Sequence, residues 1–538
     1  MRFPSRPFIA PLLVVLALLC GSCAGSHGRR SCPEGDKCIE VGNGSEPFTI
    51  DPSKVTLIAE WNILYDMLVG LTALDASGHP VPGMATSWTT SPDGLTWTFK
   101  LRKANWSDGV PVTAEDFVTA FRRVEDPAIA SSYANLFYLF KGAKEVNSGK
   151  APPETIGVRA FDPQTLVIDL VHPVPYLPDL LTNPTALPLP THAIAKWGDR
   201  WVDPGHYVSN GAYTLASWKL GERLVLRKNS RFYDSASVCF DQVSYYPMTD
   251  MVSGERQVRS GQLDMLNYFE ESRVGYLRKS MPDYVHVDPI LSIKFIPFNL
   301  ELLALRDRRV RLAMSMAIDR EFITAKISHG LSVPLYGFIP PGLAGYRQIA
   351  PPAWASWPFE RRIVAARALM RQAGYTADHP LSLELKYSSA DDRTLPAALQ
   401  SDWRRIGAAI SLAPTEEQIF YSEMGARDFQ IGVVGWILDY PDPLSNLDAL
   451  AVKNPQQNYP GYDNTVYRGL LARAAAEREG TKRLSALRQA EEMAMDDWPI
   501  APISSRSSRI LLNPAITGFV PNAANFHLKR YMCRKGPQ

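Results

Sequence analysis

The residues best placed to do chemistry are Asp439 and Asp442, in the run Asp439-Tyr440-Pro441-Asp442-Pro443 that follows the apolar stretch Phe429–Leu438. That stretch is rich in β-branched and aromatic residues and too short for a membrane span, so it reads as a strand buried on both faces. Two prolines in three positions can neither extend a ladder nor sit inside a helix, which leaves the Asp439 carboxylate at the strand's mouth. An anion there either forms a turn and caps the next helix or binds a cation beside a stacking platform made by Trp436 and Tyr440.

No catalytic constellation competes with this stretch. The chain has no G-x-S-x-G elbow, no H-E-x-x-H and no P-loop. Its nine histidines lack metal-ligand spacing. The adjacent acids Asp391/Asp392, Glu416/Glu417, Glu491/Glu492 and Asp496/Asp497 fall in predicted turns or on helix faces, where solvated charge is their ordinary role. The pattern indicates binding without turnover, and calls for no metal and no cofactor.

The elements that position these residues follow from periodicity. At 538 residues the chain needs two or three cores. Leu57–Leu71, with Ile58, Trp61, Leu64, Tyr65 and Leu68 at helical spacing, is expected to be an amphipathic helix. Thr96–Leu101 alternates as a strand. Thr113 caps a helix with Asp116 at the third position and Phe117, Ala120, Phe121 and Val124 on its buried stripe. Arg308–Ile327, Phe359–Gly374 and Leu395–Gly407 read as helices and Leu381–Tyr387 as a strand, so about 292–505 forms one α/β unit. Two crossings, near Pro289 and near Pro499–Pro502, join it to the rest.

Hydrophobic content of 46%, charged content of 21% and a formal charge of +2 describe a globular chain with no nucleic-acid partner. Arg2 and Arg6 precede the apolar run Phe8–Leu19, the layout of a secretory signal peptide over 1–22. Small residues before Cys23 mark it as a lipidation site that becomes the mature N-terminus and anchors the chain to a membrane, with Cys20 the weaker candidate. Losing Arg2 and Arg6 leaves a neutral mature chain, so attraction to acidic lipid is not the design. Cys32, Cys38, Cys239 and Cys533 then sit in an oxidising compartment, and all three pairings remain open.

LDASGHPVPGMATSWTTSPDGLTWTFKLRKANWSDGVPVTAEDFVTAFRR from Leu74, SNGAYTLASWKLGERLVLRKN from Ser209 and DRRVRLAMSMAIDREFI from Asp307 together resemble the family 5 extracellular solute-binding proteins, the peptide and nickel receptors of ABC importers. GWILDYPDPLSNL resembles the segment with which oligopeptide-binding members hold a ligand's α-ammonium group. The resemblance covers about Glu40 to Tyr531. It implies a mixed α/β (α+β) fold of the periplasmic binding protein class II-like type, two hinged lobes plus an extra third lobe. Lobe I would comprise 23–72, 193–291 and 508–538, lobe II 73–192 and lobe III 292–507. It also implies a monomeric periplasmic receptor that takes up a peptide ligand by strand addition and delivers it to ABC permease subunits.

Carried over residue by residue, Asp439 matches the ammonium-binding carboxylate and Trp436 a pocket aromatic. Glu60, Tyr133, Asn210, Gly211 and Ala212 match positions near the cleft. Relatives often have a disulfide between the positions of Ser292 and Ile437, which apolar packing would replace here. The bases that catch a peptide's C-terminus in relatives are missing at Met424 and Val433, leaving Arg393 or, more weakly, Lys326 for that role. A non-peptide solute such as a muropeptide or metal chelate, a secreted enzyme and a signalling receptor on this fold are the alternatives.

Overall fold

The computed structural model describes residues 32–343, 345–390, 393–438, 440–451, 457–477 and 479–536. The leader, Cys23, Asp391, Asp392 and Asp439 lie outside the described residues. The chain forms three bodies, each built around its own β-structure. The first is a seven-stranded mixed sheet in the order Val285–His286, Ile510–Leu512, Met265–Leu266, Cys38–Gly42, Gln242–Tyr246, Arg223–Lys228, Tyr213–Lys219. The N-terminal strand Cys38–Gly42 runs parallel to both neighbours. It is buried throughout, as expected of a central strand covered on both faces.

Of the three possible pairings, the disulfides are Cys32–Cys38 and Cys239–Cys533. The second spans 294 residues and ties the C-terminal segment to the first sheet. Within the same core the Asp66 carboxylate accepts from Tyr245 Oη (2.6 Å) and Lys529 N–H (2.8 Å), joining helix, sheet and C-terminus.

The second body is a four-stranded antiparallel sheet in the order Ala85–Thr90, Thr96–Leu101, Thr165–Asp169, Val158–Asp162. Helix Ala114–Val124 buries Phe117, Phe121 and Val124, and Thr113 and Asp116 form the expected capping box. The Asp116 carboxylate also accepts from Trp106 Nε1 (3.2 Å) and Thr191 Oγ1 (3.0 Å), so one cap fastens two further segments. At the helix's other end Glu125 is fully buried and, among the described residues, neither carboxylate oxygen has a hydrogen-bond partner. Burial raises its pKa from 4.5 to about 9, so the side chain is held as the neutral acid.

The third body pairs a four-stranded sheet, Ser332–Pro334, Ile500–Arg506, Ser292–Pro297, Val434–Ile437, with a three-stranded parallel sheet, Ala408–Thr415, Leu381–Ser388, Ile431–Gly432. Two expectations change here. Phe429–Leu438 is two short strands in two sheets: Val433 N–H turns aside to the Lys386 carbonyl (2.9 Å), and Gly435–Ile437 are only half-buried. The crossing expected near Pro499–Pro502 lies at 507–509, because those prolines fall inside or beside strand Ile500–Arg506. There Pro289 bridges Ser507, and Ser508 and Asp288 exchange hydrogen bonds (2.8 and 3.0 Å).

Two helices stop short of the periodic pattern. Leu57–Leu71 is helical only over Ile58–Met67, because Asn210 and Gly211 take over the backbone groups of Met67 and Val69. Arg308–Ile327 breaks after Met316, resuming at Arg320 as a short turn and a π-helical stretch. The buried Arg320 guanidinium fills the break, donating to the carbonyls of Ser315, Leu335 and Pro502 and to Ser315 Oγ (2.8–3.0 Å). No described helix is long and apolar enough to cross a membrane.

Two outcomes follow for stability. Cys239→Ser paired with Cys533→Ser should cost about 2–5 kcal/mol, read as a lower urea midpoint, and more than removing Cys32–Cys38, whose loop is far shorter. For Glu125 the folded pKa lies above the unfolded one, so its contribution is complete below about pH 4.5 and falls as pH rises toward 9. Glu125→Gln should therefore raise the melting temperature at pH 8 and leave it nearly unchanged at pH 4, in paired thermal scans.

Candidate functional site

Strand Val434–Ile437 forms one edge of the third body's four-stranded sheet. It pairs antiparallel with Ser292–Pro297 on one side, in the register Ser292↔Ile437 and Lys294↔Gly435, and among the described residues no strand covers its other edge. An exposed edge presents a row of N–H and C=O groups to whatever lies alongside. The half-buried Trp436 packs at 6.2 Å from Tyr459.

At the end of this strand, Tyr440 stacks on Tyr176 of the second body with centroids 5.5 Å apart and planes 3° from parallel. Asp442 accepts both Nη groups of Arg483 (2.6 and 2.9 Å), and its Oδ1 also takes the Leu444 N–H (2.9 Å). The Arg483 guanidinium lies 4.6 Å over the Tyr176 ring. Asp442 thus does two things foreseen as alternatives, turning the chain and binding a cation, but the cation is internal. Trp436 and Tyr440 turn to different partners and do not make one platform. Burial raises the Tyr176 hydroxyl pKa well above the ordinary tyrosine range, with the Asp442 charge adding to the effect.

Further contacts cross the seam. Asn135 Nδ2 donates to Gln457 Oε1 (2.7 Å), linking second and third bodies, and Ser45 Oγ donates to Glu417, linking first and third. The Tyr133 ring meets Trp61 edge-on at 5.5 Å. These partners carried no signal in sequence, because each pair is separated by scores to hundreds of residues.

Three candidate positions have their polar atoms engaged by backbone. Glu60 is buried and accepts from the N–H groups of Phe48 (2.9 Å), Thr49 (3.3 Å), Thr56 (2.7 Å) and Leu57 (2.9 Å), fixing the loop that enters the seam. Its burial raises the pKa against the pull of those four amides. Asn210 clamps Val69 through its N–H and C=O (both 2.9 Å). Gly211 donates to the Met67 carbonyl (2.8 Å), and a Cβ there would lie 2.6 Å from that carbonyl, so only glycine fits.

Met424 and Val433 are core residues, leaving no place for a base. Arg393, before helix Thr394–Arg404, and Lys326 are exposed. The Ser292/Ile437 pair does stand directly opposed across the ladder, but its replacement of a disulfide is not apolar: Ser292 Oγ accepts from Arg506 N–H (3.2 Å). Among the described residues no group of three His, Cys, Asp or Glu is placed to hold a metal.

The sequence profile of the bacterial extracellular solute-binding proteins, family 5 Middle, matches residues 79–458. The chain is 36% identical over 483 residues to the periplasmic oligopeptide-binding protein OppA of Escherichia coli K12, covering 89% of this chain and 88% of that one. It superposes on the murein tripeptide binding protein MppA of Escherichia coli with a TM-score of 0.88 at 30% identity, covering 93% of this chain and 99% of that one. Against MppA in its unliganded open form the score falls to 0.70, at 29% identity and with 93% and 98% covered, so the lobes here are not arranged as in that open form. Profile, identity and fold agree that the chain belongs to the family 5 bacterial extracellular solute-binding proteins.

Proposed function

We propose that this protein captures extended peptides between its first and third bodies and hands them to the membrane subunits of an ABC importer. The observation that carries this reading is the uncovered edge of Val434–Ile437 at the seam of the bodies. A peptide backbone laid along such an edge gains ladder hydrogen bonds without its side chains being read. The similarity to an oligopeptide-binding and a murein tripeptide binding protein supports the ligand class. The bodies correspond to lobe I (23–72, 193–291, 508–538), lobe II (73–192) and lobe III (292–507), rocking about the crossings at 287–291 and 507–509. The reading includes the leader 1–22, a lipid on Cys23 that holds the receptor at a membrane in the periplasm, and action as a monomer that binds without turnover.

In this reading Asp439 pairs with the ligand's α-ammonium beside Trp436. Glu60, Asn210 and Gly211 act by fixing loops at the cleft, their polar atoms being already bonded to backbone. Tyr133 and Tyr440 hold the second body against the others, and Arg393 stands at the rim. Closure is stabilised by the Tyr176–Tyr440 stack and the Arg483 guanidinium above it, contacts worth about 0.5–1.5 kcal/mol each.

The reading is tested by native mass spectrometry of freshly purified protein, in which a ladder of released peptides is expected; a single non-peptide mass overturns it. Asp439→Asn should weaken peptide binding by about 2–5 kcal/mol in calorimetry, since it leaves a buried ammonium unpaired, and unchanged affinity would remove Asp439 from that role. Tyr176→Ala, which removes the ring stacked on Tyr440 just past the end of the uncovered strand, should lower affinity about fivefold to tenfold, in line with one lost aromatic contact, while enlarging the radius of gyration of the loaded protein in X-ray scattering.

A further inference from the structure

One face of the third body's sheet carries two cations and, among the described residues, no acid. Arg506, the last residue of strand Ile500–Arg506, sends its side chain diagonally across Ser292–Pro297 until Nη1 lies 2.9 Å from where a Cβ on Gly435 would stand. Gly435 is directly opposite Lys294 in the ladder, and opposed residues share a face, so Lys294 rises beside the same spot. Both cations are half-buried, and among the described residues neither head group forms an ion pair or a hydrogen bond. Their backbones are engaged, Arg506 donating its N–H to Ser292 Oγ and Lys294 lying in the ladder.

The surroundings place this spot in the cleft. Tyr268 of the first body feels the charges of Arg506 and Arg509, and of Glu417 from the third body, and it packs near Gly44 at the entry to the seam. Arg509 is paired with Glu271 (3.3 Å), and Glu417 takes the Ser45 hydroxyl. Among the described residues, Arg506 and Lys294 therefore remain as the cations in need of an anion. Gly435 is what opens the space, since any side chain there would meet the guanidinium.

We propose that Arg506 and Lys294 form a carboxylate-binding subsite over Gly435, which makes the receptor select ligands carrying a carboxylate at that point of the uncovered strand. A half-desolvated guanidinium favours a carboxylate because two N–H donors match its two oxygens. Resting on the peptide reading above, the carboxylate has two sources, an acidic side chain or the free C-terminus. Gly435 precedes Asp439 by four residues in the sequence. In the peptide reading, with the ammonium at Asp439, a carboxylate a few residues into the ligand is the one tested there.

The test is calorimetric titration of the wild type, Arg506→Gln, Lys294→Gln and Gly435→Ala with three series of short peptides. One neutral series has an amidated C-terminus; the second adds Glu in place of Gln at the third or fourth residue; the third restores the free C-terminus. The wild type should prefer one carboxylate series over the neutral one by about 10- to 100-fold, and which series wins identifies the source. Arg506→Gln should reduce that ratio to near one while keeping affinity for the neutral series within about threefold. Lys294→Gln should reduce it partly. Gly435→Ala, which displaces the guanidinium without removing its charge, should imitate Arg506→Gln even if the latter folds poorly. Equal binding of all three series by the wild type, or an equal loss across series in Arg506→Gln, overturns the subsite and leaves the peptide reading standing. Failure of every series to bind the wild type overturns both.

Discussion

The architecture depends on one non-local pairing, that of Ser292–Pro297 with Ile500–Arg506. These strands lie about 200 residues apart in the chain and close the third body as an insertion. Immediately outside them the chain crosses to the first body twice, side by side, with Pro289 bridged to Ser507 and Asp288 to Ser508. Two short antiparallel segments can twist while their hydrogen bonds persist, which is the mechanical requirement of a hinge. The strand that offers its edge, Val434–Ile437, hangs on the same ladder. Register at these crossings therefore fixes where that edge stands relative to the first body.

Burying charge is costly unless it is paired or hydrogen-bonded. The molecule follows that rule closely at its structural sites. Arg320 and Arg311 satisfy four and five acceptor contacts, mostly to carbonyls, where helices break or end. Asp442 is matched atom for atom by Arg483, and Asp66 draws on Tyr245 and Lys529. Against this background an unmatched charge carries information. Glu125 is unmatched deep in the second body and resolves the conflict by keeping its proton. Arg506 has no such escape, because a guanidinium does not deprotonate; being only half-buried, it keeps contact with solvent.

Local rules were legible in the sequence wherever the determining partner lies within a few residues. The Thr113/Asp116 cap, the strand at Thr96–Leu101 and the helix ending before Gly374 all appear as periodicity and turn chemistry require. The misses share a cause. Leu57–Leu71 stops early because Asn210 competes for its backbone from 141 residues away. The apolar run Phe429–Leu438 divides because Lys386 draws Val433 into another sheet. Periodicity reports burial but cannot say which partner buries a residue.

The same distinction separates the parts of the site. Asp439 and Trp436 stood out in the sequence because prolines and an apolar run's end mark them, and a resemblance attached an expected role to that pattern. Tyr176, Arg483 and Arg506 were not, since an isolated tyrosine or arginine in sequence has no periodic signature. They acquire meaning only where folding sets Tyr176 on Tyr440 and Arg506 above Gly435. Backbone pairing along an open edge is indifferent to ligand sequence, so whatever selectivity this receptor has must come from such side chains, the ones least visible before the fold is known.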